Sequence, residues 1–234
     1  MLYHKLAKRR RPVLELAVGT GRVARYLAEQ NIPVVGLEIS PNMLRQAREN
    51  ISKESALVQR NISLVEGDMR DFDLGRKFPL AIVPFSAFQH LLAIENQMRA
   101  LQCIRHHLAE NGHLVIDVFD PKLEMCLPGG GLTREMVGEV VHPETKLRWK
   151  IFLDARENIV EQQVLHAEWR FVELASDDQV LRQYYWRLSL RWFYRFEMQH
   201  LLERSGFTIV NLWSDYQFSP PAYGKRQVWF VRKA

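Results

Sequence analysis

The sequence has little cysteine and no long apolar run. Its two cysteines, Cys103 and Cys126, lack the C-x-x-C spacing of zinc ribbons and redox pairs, so neither site is predicted. No stretch approaches the roughly 18 apolar residues that a membrane helix needs. No apolar segment follows the basic N-terminus as it would in a signal peptide. We therefore expect a cytoplasmic protein without a membrane segment.

No strong charge excess dominates the chain, whose 32 Lys and Arg residues against 27 Asp and Glu residues give a formal net charge of +5. The basic residues are scattered, apart from the run 8–11. Such a run usually belongs to a solvated helix end, so nucleic-acid binding is not the expected function. Repeats and low-complexity tracts are also lacking. Hydrophobic residues make up 47% of the 234 residues, enough for a substantial core.

The first half of the chain alternates short apolar runs with helical patterns. Runs of this length suit buried strands. The predicted strands are 12–18, 33–39, 61–66, 78–85 and 113–119, with helices at 22–30, 41–50 and 95–109. Two further strands, 207–213 and 226–232, follow a predicted helix at 194–205. This pattern predicts an α/β fold with a seven-stranded, mostly parallel Rossmann-like sheet covered by helices on both faces.

The pattern changes near Pro128 and the glycines after it. Residues 132–192 contain runs with period-two alternation, which indicates antiparallel strands with one buried face. We therefore predict an inserted antiparallel β-sheet after the fifth strand. The predicted domains are 1–127 with 193–234, and an inserted subdomain at 128–192. The insertion is rich in aromatic residues and is expected to cover an acceptor site or to form a dimer contact.

A glycine turn joins the first predicted strand to the first helix in the segment VLELAVGTGRVA, residues 13–24. Gly19 and Gly21 allow a sharp turn and a close approach of the backbone to a ligand. The turn alone also fits a dinucleotide site, read as G-x-G-x-x-A, or an ordinary strand–helix turn.

Three acidic positions at predicted strand ends separate these interpretations. Glu15 would repel a pyrophosphate and suits a ligand that carries positive charge. Glu38 ends the second strand, where a carboxylate can accept from both ribose hydroxyls. Asp68, followed by Met69, could bind an adenine edge. Because ligands bind along this edge of open α/β sheets, the three acids together favour a nucleoside ligand that is not a dinucleotide.

These segments together resemble class I S-adenosylmethionine-dependent methyltransferases. VLELAVGTGRVA resembles the first motif, E/D-x-G-x-G-x-G, and VVGLEISPNMLRQAREN resembles the second strand and its helix. Later segments of the family's sequences are similar to VEGDMRDF, NGHLVIDVFDP and FEMQHLLERSGFTIVNLWSDY. The likeness therefore covers nearly the whole chain outside the insertion. One departure is Ala17, where the first glycine of the motif usually stands.

The resemblance implies roles by position and a cofactor, S-adenosylmethionine, that leaves as S-adenosylhomocysteine. It implies that Glu15, Gly19 and Gly21 frame the methionine part and that Glu38 holds the ribose. The remaining residues expected at the cofactor are Ala17, Ile39, Met43, Asp68, Met69 and Phe85.

The segment PFSAFQHL, residues 84–91, is similar to the loop after the fourth strand in small-molecule N-methyltransferases, including those acting on nucleotide-linked amino sugars. The similarity implies that His90 lies near the transferred methyl group as a base. From the pattern alone, a helix-start histidine bonded to backbone is the more common case. His106 and His107 are predicted to be surface residues, and no metal constellation is visible.

The favoured prediction is methyl transfer to a small-molecule amine or hydroxyl, by a possible homodimer. An RNA or protein methyltransferase, supported only by the basic balance, and a non-catalytic protein with the same fold stay open as alternatives. A nicotinamide oxidoreductase is disfavoured by Glu15 and Asp68. Residues 1–11 are fewer than family members carry before the first strand. Either the start is truncated or misassigned, or the site is more open, in which case we expect weak cofactor binding.

Overall fold

The computed structural model describes residues 2–122, 124, 127, 129–141 and 145–234. Cys126 and Pro128, both named in the sequence predictions, lie outside the described residues. The chain divides into two compact units, one reaching Pro121 and resuming at Phe193–Ala234, the other spanning Lys122–Trp192. The first boundary lies earlier than the predicted break at Pro128.

Seven of the described strands form the sheet of the first unit, which confirms the predicted fold class. Its strands are β1 (Val13–Leu16), β2 (Val34–Glu38), β3 (Ile62–Glu66), β4 (Phe78–Val83), β5 (Leu108–Phe119), β10 (Phe207–Trp213) and β11 (Arg226–Lys233). The order across the sheet is β10-β11-β5-β4-β1-β2-β3. The first five strands run parallel, whereas β11 is antiparallel to both of its neighbours.

Helices cover both faces of the sheet. They are α1 (Leu2–Ala7), α2 (Arg22–Glu29), α3 (Pro41–Ser52), α4 (Ala56–Arg60), α5 (Ile94–His107) and α6 (Arg195–Arg204), with a short 3-10 helix at Ala87–His90. The start of α3 follows the sequence signal: Ser40 accepts a hydrogen bond from the Met43 N–H, and Pro41 occupies the first helical position.

Alternation along the strands produces two hydrophobic cores. Leu14 and Leu16 of β1 pack with one core, whereas Val13 packs with the other on the opposite face. Both β1 and β2 are buried at every position. Burial on both faces explains why these strands read as continuous apolar runs.

Some local features differ from the sequence predictions. The helices α1 and α4 were not predicted, since both are too short for a clear helical period. His107 is buried, contrary to its predicted place on the surface. Its Nδ1 lies 2.9 Å from the Cys103 carbonyl oxygen, and its Nε2 accepts from the Leu74 N–H at 3.1 Å. These contacts tie the end of α5 to the loop after β3.

The second unit contains four described strands in one antiparallel sheet. They are β6 (Gly129–Val141), β7 (Arg148–Ile159), β8 (Val164–Leu174) and β9 (Val180–Arg191), in that order. The predicted buried face is wrong for the first part of β9, where Tyr184 and Trp186 are exposed. β9 lies at the sheet edge with a neighbouring strand on one side only. The role of the unit as acceptor cover or dimer contact stays a prediction.

Across the described residues, no helix is both long and apolar enough to cross a membrane.

Candidate functional site

A cavity of about 250 Å³ opens at the carboxyl ends of β1, β2 and β3 in the first unit. This is the edge at which parallel α/β sheets bind their ligands. The walls come from the turn after each strand and from the segment after β4. The lining residues are Ala17, Leu37, Glu38, Ile39, Gly67, Asp68, Met69, Arg70, Ala87, His90, Leu91 and Asn96.

The carboxylate of Glu38 is held at the cavity by two backbone N–H groups. It is 7% exposed, and its Oε2 accepts from the Gly19 N–H at 2.9 Å while its Oε1 accepts from the Ser40 N–H at 3.0 Å. A carboxylate has about four acceptor positions, so these two bonds leave about two for a ligand. The Glu38 carboxylate therefore presents about two hydrogen-bond acceptor positions, in a fixed orientation, to the cavity.

The glycine turn places its two glycines in different surroundings. Gly19 has a φ of +57°, and a Cβ there would meet open space, so this side of the turn is free for a ligand. Gly21 has a φ of +82°, which favours glycine, and it faces α3, because a Cβ there would lie in ordinary contact with the Ala47 Cβ at 3.6 Å. Ala17 also has a positive φ, 54°. This conformation explains why a glycine is usual at that position of the motif.

Glu15 lies beneath the turn rather than on the cavity wall. Its side chain is 1% exposed, it accepts a hydrogen bond from the backbone N–H of Ala24, and burial raises the pKa of its carboxyl well above the ordinary value. Among the described residues, its Oε2 has no hydrogen-bond partner. The carboxyl group thus caps the first turn of α2, and its role toward the methionine part of a cofactor stays a prediction.

Asp68 is on the cavity wall, but with a partner that the sequence analysis missed. Arg70 binds both of its carboxylate oxygens through Nε, at 3.0 and 2.8 Å, and its backbone N–H donates to Oδ1 at 2.9 Å. The hydrogen-bonded Arg70 side chain holds the pKa of Asp68 below its usual value. An adenine amino group that binds Asp68 must share these oxygens with Arg70.

His90 ends the 3-10 helix after β4 and lies on the same cavity wall as Glu38. Its side chain reaches solvent, but partial burial in the wall lowers the pKa of the imidazole, and the Glu38 carboxylate offsets part of that shift. A lowered pKa keeps the ring neutral near pH 7, which is the form that accepts a proton. The place of His90 on the cavity wall suits its predicted role as a base, and that role stays a prediction.

The structure brings five of the ten predicted cofactor residues, and the predicted base His90, to the cavity wall. Ala17, Glu38, Ile39, Asp68, Met69 and His90 line it, whereas Met43 lies on α3 and is exposed. Phe85 is 39% exposed, and the guanidinium carbon of Arg22 lies 4.0 Å from the centre of its ring. Because Arg22 begins α2, Phe85 lies beside the glycine turn.

Two polar lining residues were missed by the sequence analysis, Arg70 and Asn96. Arg70 lies within the quoted segment VEGDMRDF, where its spacing from Asp68 was the available signal. Asn96 is on α5 and carries no motif. Within the ranges that the structure describes, no group of three His, Cys, Asp or Glu side chains is arranged to hold a metal ion.

The family comparison covers the strands and turns that build this cavity. Residues 13–112 match the family model described as a methyltransferase domain. Residues 13–112 are a methyltransferase domain. The match includes Glu38, Asp68 and His90, so the cavity lies within the methyltransferase domain, and the sequence resemblance to class I methyltransferases is confirmed.

Two curated relatives carry amino-sugar names. The chain is 32% identical over 105 residues to the dTDP-3-amino-3,4,6-trideoxy-alpha-D-glucopyranose N,N-dimethyltransferase of Streptomyces venezuelae, covering 45% of this chain and 41% of the relative. It is 36% identical over 107 residues to the dTDP-3-amino-3,6-dideoxy-alpha-D-glucopyranose N,N-dimethyltransferase of Streptomyces fradiae, covering 45% and 38%. The chain thus spans less than half of the length of these relatives.

A solved structure extends the likeness beyond the methyltransferase domain. The CcbJ methyltransferase from Streptomyces caelestis superposes with a TM-score of 0.78 and 24% sequence identity, over 100% of this chain and 93% of that one. At this identity the likeness shows a shared fold.

Replacing Ala17 by glycine is expected to preserve or raise stability. A non-glycine residue in the left-handed region costs roughly 1–2 kcal/mol, whereas glycine adds roughly 0.5–1 kcal/mol of entropy cost on folding. We expect Ala17→Gly to raise the free energy of unfolding by up to about 1 kcal/mol in urea titrations. Ala100→Gly, in the buried middle of α5, is the control and should lower it by about 1 kcal/mol or more. Equal losses in both variants would contradict the strain at Ala17.

The pKa of His90 gives a second test of the site. We expect its imidazole to titrate below 6.5 in an NMR pH series, because partial burial disfavours the charged ring. Glu38→Gln removes the charge that favours protonation and should lower the midpoint further. Glu66→Gln, at the end of the adjacent strand, is the control and should leave it unchanged. A midpoint that rises in Glu38→Gln would refute the proximity of the two groups.

Proposed function

We propose that this protein transfers a methyl group from S-adenosylmethionine to an amine of a small molecule. The observation that carries the proposal is the Glu38 carboxylate, oriented by the Gly19 and Ser40 amides at the cavity of a methyltransferase domain. Because its two remaining acceptor positions face a cavity beyond the sheet edge, the geometry matches the two hydroxyls of a ribose.

The other walls fit the rest of such a nucleoside. Ile39 and Met69 lie on the cavity wall and offer apolar surface to an adenine ring, and Gly67 lines the same cavity. Asp68 supplies acceptor oxygens at the same wall. The open side of Gly19 leaves room for the chain that connects a ribose to its sulfur.

When bound, S-adenosylmethionine supplies a methyl group already activated on a positively charged sulfur. The tasks left to this chain are to hold the cofactor, to align the acceptor amine with the methyl group and to remove a proton from that amine. Alignment alone is worth roughly 7–11 kcal/mol of a reaction barrier. We infer that His90, neutral near pH 7, accepts the proton that an amine loses on methylation, which would contribute roughly 10²–10⁴-fold.

The amino-sugar names of the two relatives support the acceptor class. An amine is the accepting group that both names share. We therefore propose a nucleotide-linked amino sugar as the acceptor, in preference to an RNA or a protein substrate, for which the scattered basic residues offer little support.

Calorimetric titration with S-adenosylhomocysteine tests the cofactor site. We expect saturable binding by the wild-type protein and at least tenfold weaker binding by Glu38→Gln, because an amide oxygen and nitrogen cannot both accept from the Gly19 and Ser40 N–H groups. Glu66→Gln removes an equal charge from the end of the adjacent strand and is the control. No binding by the wild type, or equal losses in both variants, would refute the proposed site.

Mass spectrometry after incubation with S-adenosylmethionine tests the acceptor class. We expect dTDP-3-amino-3,6-dideoxyglucose to gain the mass of one or two methyl groups, because its amine is the more nucleophilic group at neutral pH. Matched reactions contain dTDP-glucose, which lacks the amine, or unmodified tRNA. Methylation of either in place of the amino sugar would contradict the proposed substrate.

A further inference from the structure

A buried carboxylate outside the cavity gathers hydrogen bonds from several segments of the first unit. Asp117, in β5, has no solvent exposure. Five donors from the described residues bind it: the hydroxyls of Tyr3, at 2.6 Å, and Tyr216, at 2.8 Å, the guanidinium of Arg226, and the backbone N–H groups of Phe85, at 3.1 Å, and Ser86, at 3.0 Å. Nothing in the proposed chemistry uses this group directly.

The donors to Asp117 come from parts of the chain that are distant in sequence. Tyr3 belongs to α1, Tyr216 to the connection between β10 and β11, and Arg226 to the start of β11. A buried carboxylate costs several kcal/mol unless charged or hydrogen-bonding groups compensate it. The positively charged Arg226 compensates the charge of the buried carboxylate. The two tyrosine hydroxyls and the two backbone N–H groups complete its hydrogen bonds.

The two backbone donors have a conformation that needs such support. Phe85 has a φ of 54° and Ser86 a φ of 62°, and neither is a glycine. Consecutive left-handed residues are strained, and strain of this kind persists only where the surroundings impose it. The Phe85 N–H binds Oδ2 and the Ser86 N–H binds Oδ1, so one carboxylate holds both residues.

This strained pair determines where the next segment begins. The 3-10 helix Ala87–His90 follows directly, and Ala87, His90 and Leu91 form one wall of the cavity. The side chain of Ser86 is also held, because its Oγ accepts from the same Arg226 guanidinium at 3.0 Å. The Phe85 ring lies 5.7 Å from that of Tyr216, so it is positioned by the same group of residues.

We propose that Asp117 is a positioning residue for the methyl-transfer site: its carboxylate clamps the Phe85 and Ser86 amides and thereby sets the wall that carries His90. The inference rests on the proposed function, since it concerns how that site is held in shape. A purely structural role, in which Asp117 only joins α1 to the sheet, predicts a loss of stability and no specific change in this wall.

The substitution Asp117→Asn tests the clamp at the atoms concerned. An asparagine has one acceptor oxygen, and the two amides bind different oxygens of Asp117. Whichever way the amide is turned, one of the two N–H groups therefore faces an NH₂ group and loses its acceptor. Asp120→Asn is the matched control, because that carboxylate binds the Gln227 side chain and the Gly224 N–H, and neither residue is part of the clamp.

Amide hydrogen exchange followed by NMR, with calorimetric titration of S-adenosylhomocysteine, provides the readout. In Asp117→Asn we expect at least tenfold faster exchange at Phe85 or Ser86 without a matching change in the β1 and β4 amides, and at least fivefold weaker binding of S-adenosylhomocysteine. In Asp120→Asn both quantities should stay within twofold of the wild type. Faster exchange by one factor throughout the sheet would show a structural role only and would overturn the proposal.

The outcomes separate the clamp from the proposed function. Failure of the wild type to bind S-adenosylhomocysteine refutes the proposed function and, with it, the role of Asp117 in that site. Normal binding by the wild type and equal binding by Asp117→Asn overturns the positioning role alone. If Asp117→Asn does not fold, exchange in the wild type decides: protection at Phe85 and Ser86 supports the clamp, and exchange at the rate of an open loop overturns it.

Discussion

The Glu38 carboxylate joins the glycine turn after β1 to the start of α3 through the Gly19 and Ser40 amides. The cavity depends on this pair of bonds, because they fix the distance between two loops that form neighbouring walls. They also orient the remaining acceptor positions of the carboxylate outward, so the ligand meets a preformed group. The positive φ of Ala17 and the open side of Gly19 belong to the same local arrangement, in which the turn rises close to the place of the ligand.

A second carboxylate, Asp117, stands at the end of β5, which pairs with β4 in the sheet. Glu38 faces the cavity, whereas Asp117 is fully buried and acts through the backbone of Phe85 and Ser86. Under the proposed function, the two acids have different tasks: Glu38 holds a nucleoside, and Asp117 maintains the wall that carries His90. Each binds backbone N–H groups in the segments that follow β1, β2 or β4.

Sequence patterns predicted the parallel strands, their helices and the acids at the strand ends, because buried runs and glycine turns leave a local signal. The contacts of those acids were not predictable. The partner of Asp68 is set by the bend of the loop, which allows Arg70 to reach both carboxylate oxygens. The hydrogen bonds of Asp117 reach residues as many as 114 positions away in the sequence. A local hydrophobic period carries no information about such distant contacts. The exposed face of β9 was missed for a related reason, since alternation indicates a strand but does not show what covers it.

We propose that the Glu38 carboxylate binds the ribose of S-adenosylmethionine or of its product. A crystal structure of the protein with S-adenosylhomocysteine tests it most directly. We expect both ribose hydroxyls within hydrogen-bond distance of the Glu38 carboxylate, with the adenine against Ile39 and Met69 and the Gly19 and Ser40 bonds intact. A nucleoside bound elsewhere in the first unit, or one whose ribose has no contact with Glu38, would contradict it.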